Sequence, residues 1–275
     1  MDPSSRTFGS EIIIRALSGA FVVLAIIGGI LLGGIYWSFI VTLITMVSLW
    51  EFYNLLSVKI KVTRALGFIS ALLLIAAASL NFSSAAILAI TALIPFLVLC
   101  IEIIRRQMLL NSQAIFNMGG TLVGLIYIAL PWTFLVLLRA EPWGTMLLIT
   151  LFACTWSCDV TAYLVGVRWG RTYLCENVSP KKTWEGFAAG VAGSLFCAGL
   201  LAFAWQFPPF PLLMLGLLCG LAGQIGDLGE SLLKREAGVK DAGKLIPGHG
   251  GMLDRFDSIL VNATLAFLIF EVIWH

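Results

Sequence analysis

The stretch Ser231-Leu232-Leu233-Lys234-Arg235-Glu236-Ala237-Gly238-Val239-Lys240-Asp241-Ala242-Gly243-Lys244-Leu245-Ile246-Pro247-Gly248-His249-Gly250-Gly251-Met252-Leu253-Asp254-Arg255-Phe256-Asp257 separates two apolar runs, 209–228 and 258–274. The chain is only 12% charged, yet 9 of its 32 Lys, Arg, Asp and Glu residues fall in these 27 positions. Charge beside a bilayer-length apolar run is costly unless it has partners or a function. Chemistry is therefore expected here, and a polyanion with its metal is the natural ligand.

Working outward, the remaining sequence is a series of such runs. Hydrophobic residues make up 60% of the chain and mean hydropathy is +0.99, against an apolar share of about 45–50% in ordinary globular proteins. A helix needs roughly 20 apolar residues to cross the hydrocarbon. Nine runs qualify: 14–33, 35–56, 66–81, 83–104, 115–138, 144–167, 185–206, 209–228 and 258–274. The expectation is an all-α polytopic membrane protein of about nine transmembrane helices. The third run is short, and only Gly33 and Gly34 separate the first two, so a re-entrant or strongly tilted segment is an alternative there.

Cytoplasmic loops hold the excess of Lys and Arg. With the N-terminus cytoplasmic, 16 of the 17 basic residues fall on the inner side and only Arg139 on the outer. An invented or missed helix would scramble that division. Arg6 precedes the first run and no small-residue cleavage site follows it, so the run reads as a retained helix. The six cysteines lie in spans or on the inner side, which implies reduced thiols and no disulfide framework.

Outer connections are short and nearly uncharged, whereas the largest inner ones, 168–184 and 229–257, lie in the C-terminal half. Residues 1–140 thus read as a transmembrane scaffold and 141–275 as the transmembrane catalytic region, its loops on the cytoplasmic face. Small residues four apart, Gly29/Gly33, Gly186/Gly190/Ser194 and Gly216/Gly220, permit close helix approach. Packing within one subunit is the plainer reading, a homodimer seam the other.

Asp227, Glu230, Ser231 and Lys234 share one helix face by steps of three and four. They either form a solvated helix end or aim acids and a base at one spot. Asp227 follows an apolar run closely enough that an unpaired carboxylate there is expensive. Gly248-His249-Gly250-Gly251 lets backbone N–H groups approach phosphate, or is merely a turn. Asp254 and Asp257 are one helical turn apart, spacing that suits a hard divalent cation or simple capping of the helix dipole. Asp159 lies inside the sixth run, where a charge must face protein or a water-filled cavity. Lys181 and Lys182 fit either a substrate phosphate or anionic lipid. Cys154 and Cys158 share a face without the further ligands of a zinc site.

The spaced residues Ser231, Leu233, Lys234, Arg235, Lys240, Asp241, Gly243, Ile246, Pro247, His249, Gly250, Gly251, Met252, Asp254, Arg255, Phe256 and Asp257 resemble, without departure, the signature of the phosphatidate cytidylyltransferase (CDP-diacylglycerol synthase) family. Asp159 to Tyr163 and Ser179-Pro180-Lys181-Lys182-Thr183-Trp184-Glu185-Gly186 are similar to that family too, extending the likeness over about residues 150–260. The first 140 residues match it only as a multi-span region.

The resemblance implies CMP transfer from CTP to phosphatidic acid, giving CDP-diacylglycerol and pyrophosphate for phospholipid biosynthesis, with Mg²⁺ as cofactor; a monovalent cation beside it stays open. Partners would be CTP, phosphatidic acid and membrane lipid, without nucleic acid, in a bacterial cytoplasmic (inner) membrane. Expected catalytic residues are Asp227, Ser231, Lys234, Arg235, Lys240, Asp241, His249, Asp254, Arg255 and Asp257. Expected substrate contacts are Ser179, Lys181, Lys182, Thr183, Glu185, Gly250 and Gly251. Asp227 and Asp254 are first-choice metal ligands, followed by Asp257 and Asp159. Lipid tails are expected to reach the site sideways between helices of the C-terminal half. A transporter would place charge at the bilayer midplane with repeat symmetry, which is not seen here. A polyprenol kinase would transfer phosphate instead of CMP.

Overall fold

The computed structural model describes the backbone of residues 3–109, 113–243 and 250–273, and the side chains of 17–109, 113–243 and 250–270. Lys244, His249 and the Ile246-Pro247-Gly248 segment lie outside the described residues. The helices are α1 (Pro3–Leu32), α2 (Gly34–Leu56), α3 (Arg64–Ser79), α4 (Ser84–Leu109), α5 (Ala114–Gly124), α6 (Leu130–Ala140), α7 (Gly144–Trp169), α8 (Trp184–Ala204), α9 (Pro209–Glu236) and α10 (Leu253–Phe267). A π turn over Leu125–Ala129 fuses α5 and α6 into one rod, and a second, Leu268–Ile273, continues α10.

Nine rods among the described residues thus answer to the nine apolar runs. Six of the helices are long and apolar enough to cross a membrane: α2, α4, the α5–α6 rod, α7, α8 and α9. The chain is an integral membrane protein. At Gly33 and Gly34, α1 ends and α2 begins with φ of 64° and 48°, a backbone that favours glycine. Arg139 packs on Gly33 and its Nε donates to Ile30 O at 2.6 Å, a cation on a helix C-terminus.

The all-α expectation needs one correction. Between α7 and α8 the chain forms an antiparallel hairpin, β1 (Tyr173–Cys175) and β2 (Ser179–Thr183). Thr183 is extended (φ −127°, ψ 154°) because it caps α8, its hydroxyl accepting from Gly186 N at 3.2 Å. Glu185 ties the hairpin base to the same helix, accepting from Arg171 N at 3.2 Å and Thr172 N at 3.3 Å.

Helices α7, α8 and α9 pack against one another, and α10 lies on α9. Glycines permit this. A Cβ on Gly220 would sit 2.8 Å from Val191 Cα, and one on Gly216 2.6 Å from Ala198 Cβ. Ser194 Oγ donates to Gly216 O at 2.7 Å across the same seam. The small-residue spacing in α8 and α9 therefore serves packing within the chain. Buried Trp37, Phe52, Tyr53 and Trp132 form the other half of the core, where Trp132 meets Phe256 of α10 edge-on at 5.1 Å. Through α6 and α2, the N-terminal helices hold α10 in place.

Candidate active site

Helix α9 has 28 residues, about 42 Å at 1.5 Å per residue, whereas the hydrocarbon is only about 30 Å thick. Its last turns therefore carry polar side chains beyond the apolar part. Asp227, Glu230, Ser231 and Lys234 share one face as the spacing predicts. Ser231 Oγ donates to Asp227 Oδ1 at 3.4 Å, and Lys234 Nζ lies 3.4 Å from Glu230 Oε1. Lys234 also donates to Asp254 Oδ1 of α10 at 2.6 Å. From the hairpin, Lys182 Nζ reaches Asp227 Oδ2 at 2.6 Å and Gln224 O at 3.4 Å. The α7–α8 hairpin and the α9–α10 segment, distant in sequence, converge.

Asp254 does more than face Lys234. Its Oδ2 accepts from Gly251 N at 2.8 Å and Ala242 N at 3.0 Å. It thereby ties Ala242, within the α9–α10 connection, to Gly251 just before α10. The next two amides, Met252 N and Leu253 N, donate to the carboxylate of Glu51 on α2 at 3.0 and 2.8 Å. All three consecutive N–H groups at this helix start are taken by carboxylates, including that of Gly251, which the sequence offered to phosphate. Gly250 has φ 83°, and a Cβ there would sit 3.0 Å from Asp254 Oδ2.

Asp254 and Asp257 precede the apolar run that starts at Ser258. Burial opposes charge on Asp254, but Lys234 and the Gly251 and Ala242 amides hold its carboxyl below the ordinary value. Burial, then the negative charge of Asp227, pushes Asp257 up to about 6. Asp159 and Asp227 line the same cavity as Asp257. This acid-rich wall suits a hard cation. Among the described residues, no three His, Cys, Asp or Glu side chains converge closely enough to hold an ion alone. Mg²⁺ with phosphate ligands typically needs only one or two carboxylates, so the donor set fits that ion.

Asp159, Asp227, Lys234, Asp254 and Asp257 line a cavity of about 640 Å³, whereas Glu230, Ser231, Gly250 and Gly251 do not border it. Asp241, Asp254, Arg255, Ser179, Lys181 and Lys182 lie on its polar side, and Asp159 of α7 opens into it. Its apolar wall includes Val22 and Val23 of α1 with Trp156, Tyr163 and Val167 of α7. Helix α1 therefore belongs to this wall, which the sequence placed wholly in the C-terminal half. Arg235 and Lys240 are exposed and do not line the cavity. Thr183 and Glu185 are engaged in the cap and hairpin described above, although Thr183 also borders the cavity.

Glu51 is the residue that sequence reasoning missed. The available signal was an acid inside an apolar run, Leu49-Trp50-Glu51-Phe52, a placement that is functional by default. Gln224, whose Nε2 donates to Phe187 O at 3.1 Å across α8 and α9, was also missed and lines the cavity.

The family model described as "Cytidylyltransferase family" matches residues 13–273. The chain is 49% identical over 128 residues to a phosphatidate cytidylyltransferase of Synechocystis sp., covering 46% of this chain and 43% of that protein. It is 43% identical over 167 residues to the protein of that name from Brucella abortus, covering 58% and 60%. With the Bacillus subtilis protein of that name it shares 39% identity over 163 residues, covering 58% and 61%. The matched stretch thus spans between 43% and 61% of these relatives' length.

Proposed function

Because the chain belongs to the cytidylyltransferase family, we propose that it transfers CMP from CTP to phosphatidic acid, releasing pyrophosphate. The observation that carries this reading is a single cavity with an acid-and-lysine wall on one side and an apolar wall between α1 and α7 on the other. A lipid phosphate needs both. Its oxygen attacks the α-phosphorus of CTP, the bond to the β-phosphate oxygen breaks, and pyrophosphate leaves with the electron pair. A phosphate monoester is already nucleophilic at neutral pH, so no Ser or Cys nucleophile is required; positioning and charge stabilisation carry the reaction.

Lys182, Lys234 and Arg255 are the phosphate clamps in this reading, with Lys181 at the mouth. Asp227 and Asp254 would hold Mg²⁺, with Asp257 and Asp159 as further ligands. The ion supplies neutralisation of the negative charge that grows on the leaving group. The diacyl chains lie against Val22, Val23 and Trp156, which puts α1 beside the C-terminal helices on the lipid path. The basic-residue asymmetry supports nine crossings, an inner N-terminus and a cytoplasm-facing site, and the bacterial relatives support a bacterial cytoplasmic (inner) membrane.

The test is purified protein in detergent with phosphatidic acid, Mg²⁺ and CTP labelled at the α-phosphate. Lipid-soluble label with equimolar pyrophosphate is expected. Released CDP and unlabelled lipid would instead indicate a kinase.

A further inference from the structure

Glu51 lies 0% exposed in α2, in the half of the chain that the sequence reads as scaffold. Its two oxygens accept from Met252 N at 3.0 Å and Leu253 N at 2.8 Å. Two glycines of the α9–α10 connection, Gly243 and Gly251, back onto it. A Cβ on Gly251 would come 2.7 Å from Glu51 Oε2, and one on Gly243 would collide with Oε1. Gly251 and Gly243 also face each other, since that same Cβ would lie 2.8 Å from Gly243 N. The loop is thus gathered at its neck against one buried carboxylate.

Asp254 grips the neck from the other side, through Ala242 N and Gly251 N. Two carboxylates therefore share four amides of one short stretch, and only Asp254 faces the cavity. A carboxylate at a helix N-terminus is favoured by the helix dipole and by the unpaired amides there. Removing it leaves the Met252 and Leu253 amides without these acceptors, and the start of α10 loses one of the contacts that orient it.

We propose that Glu51 is the positioning residue of the site: it buckles the α9–α10 loop to α2 and so sets the orientation in which Asp254 and Asp257 meet the metal-bound phosphates. The inference rests on the cytidylyltransferase reading for its activity arm but not for its structural arm. It assigns the N-terminal helices a part in the chemistry, exerted through backbone amides and without contact to substrate.

The test uses full-length Glu51→Gln and Glu51→Ala in detergent. Gln keeps the volume and one acceptor oxygen, so it guards against a simple packing failure. Amide hydrogen exchange without nucleotide is expected to accelerate about tenfold or more across 250–257 and to stay unchanged in α7 and α8. Partners that orient metal ligands are typically worth 10–100-fold in metal affinity. The Mg²⁺ concentration giving half-maximal activity should therefore rise about tenfold, with turnover recovering at high Mg²⁺. Unchanged exchange at 250–257, or equal acceleration through α7 and α8, would overturn the proposal. So would lost turnover that Mg²⁺ does not restore in the Gln variant. If wild type makes no CDP-lipid, the function reading fails while the exchange result still decides the buckle.

Discussion

Lys182 on the β-hairpin and Asp227 on α9 meet at 2.6 Å, with 22% and 34% of their side chains exposed. The neighbouring Lys181 is exposed, borders the same cavity and pairs with no acid among the described residues. Adjacent lysines of one strand face opposite ways, so one is committed to the carboxylate cluster and the other stands at the cavity mouth.

Lys182→Ala should accordingly reduce turnover about 100-fold, in the range lost with a charge-stabilising donor, and added anionic lipid should not restore it. Lys181→Ala should cost a few-fold at most and recover with anionic carrier lipid or low salt, because surface attraction contributes about 1 kcal/mol per basic residue and is screened. Kinetics across lipid composition and ionic strength separate the two. Equal rescue of both variants would remove Lys182 from the site.

The two acids that the sequence ranks first as metal ligands differ in their surroundings, and that difference predicts a split. Among the described residues, Asp227 bonds the side chains of Lys182 and Ser231. Asp254 also holds the amides of Ala242 and Gly251. Asp227→Asn and Asp254→Asn should each lower turnover by about 1,000-fold, as expected when ligands of a catalytic ion are lost. Only Asp254→Asn should also speed amide exchange at Ala242 and Gly251. Full activity of either variant at ordinary Mg²⁺ would take that residue off the metal.

What could be read from the sequence follows the range of the interactions involved. Apolar runs are local, so the positions of all nine rods were legible, and so was the shared face of Asp227, Ser231 and Lys234. The hairpin was not, because strands of three and five residues interrupted by Pro180 carry too little alternation to register. Glu51 was invisible for the opposite reason. Its partner Met252 is 201 residues away, and a single acid in an apolar run signals only that some partner exists. The Met252 and Leu253 amides are taken by a carboxylate 201 and 202 residues away, whereas Asp254 takes that of Gly251 from three residues along the chain.

The orientation proposed from the basic-residue asymmetry predicts labelling from opposite sides. With the six native cysteines replaced, a cysteine at Lys240 should react with an impermeant thiol reagent only after the inner face is opened. One at Glu141, beside Arg139 and Trp143, should react from outside in intact cells. Lys240 is exposed and Glu141 half-buried, so labelling of each cysteine after detergent solubilisation serves as the control for burial. The reverse pattern would invert the map and set the site away from cytosolic CTP.

Two glycines in helices should respond oppositely to the same added methyl group. Gly220 sits where α9 touches α8, and its Cβ would lie 2.8 Å from Val191 Cα and 3.4 Å from Ser194 Cβ. Backbone cannot swing aside as a long side chain can, so Gly220→Ala must push the helices apart. Overpacking of this kind costs about 1–3 kcal/mol. The displacement also reaches the site, since Gln224 is one turn further along α9 and bonds both Gly220 O and Phe187 O. Gly119 in α5 meets nothing within 4 Å, so Gly119→Ala should stabilise by up to about 1 kcal/mol through helix propensity alone. Thermal unfolding in detergent should show Tm falling for Gly220→Ala and holding or rising for Gly119→Ala. If Gly220→Ala melts like wild type, α8 and α9 are not packed backbone to backbone at this point, and the small-residue stripe would need another explanation.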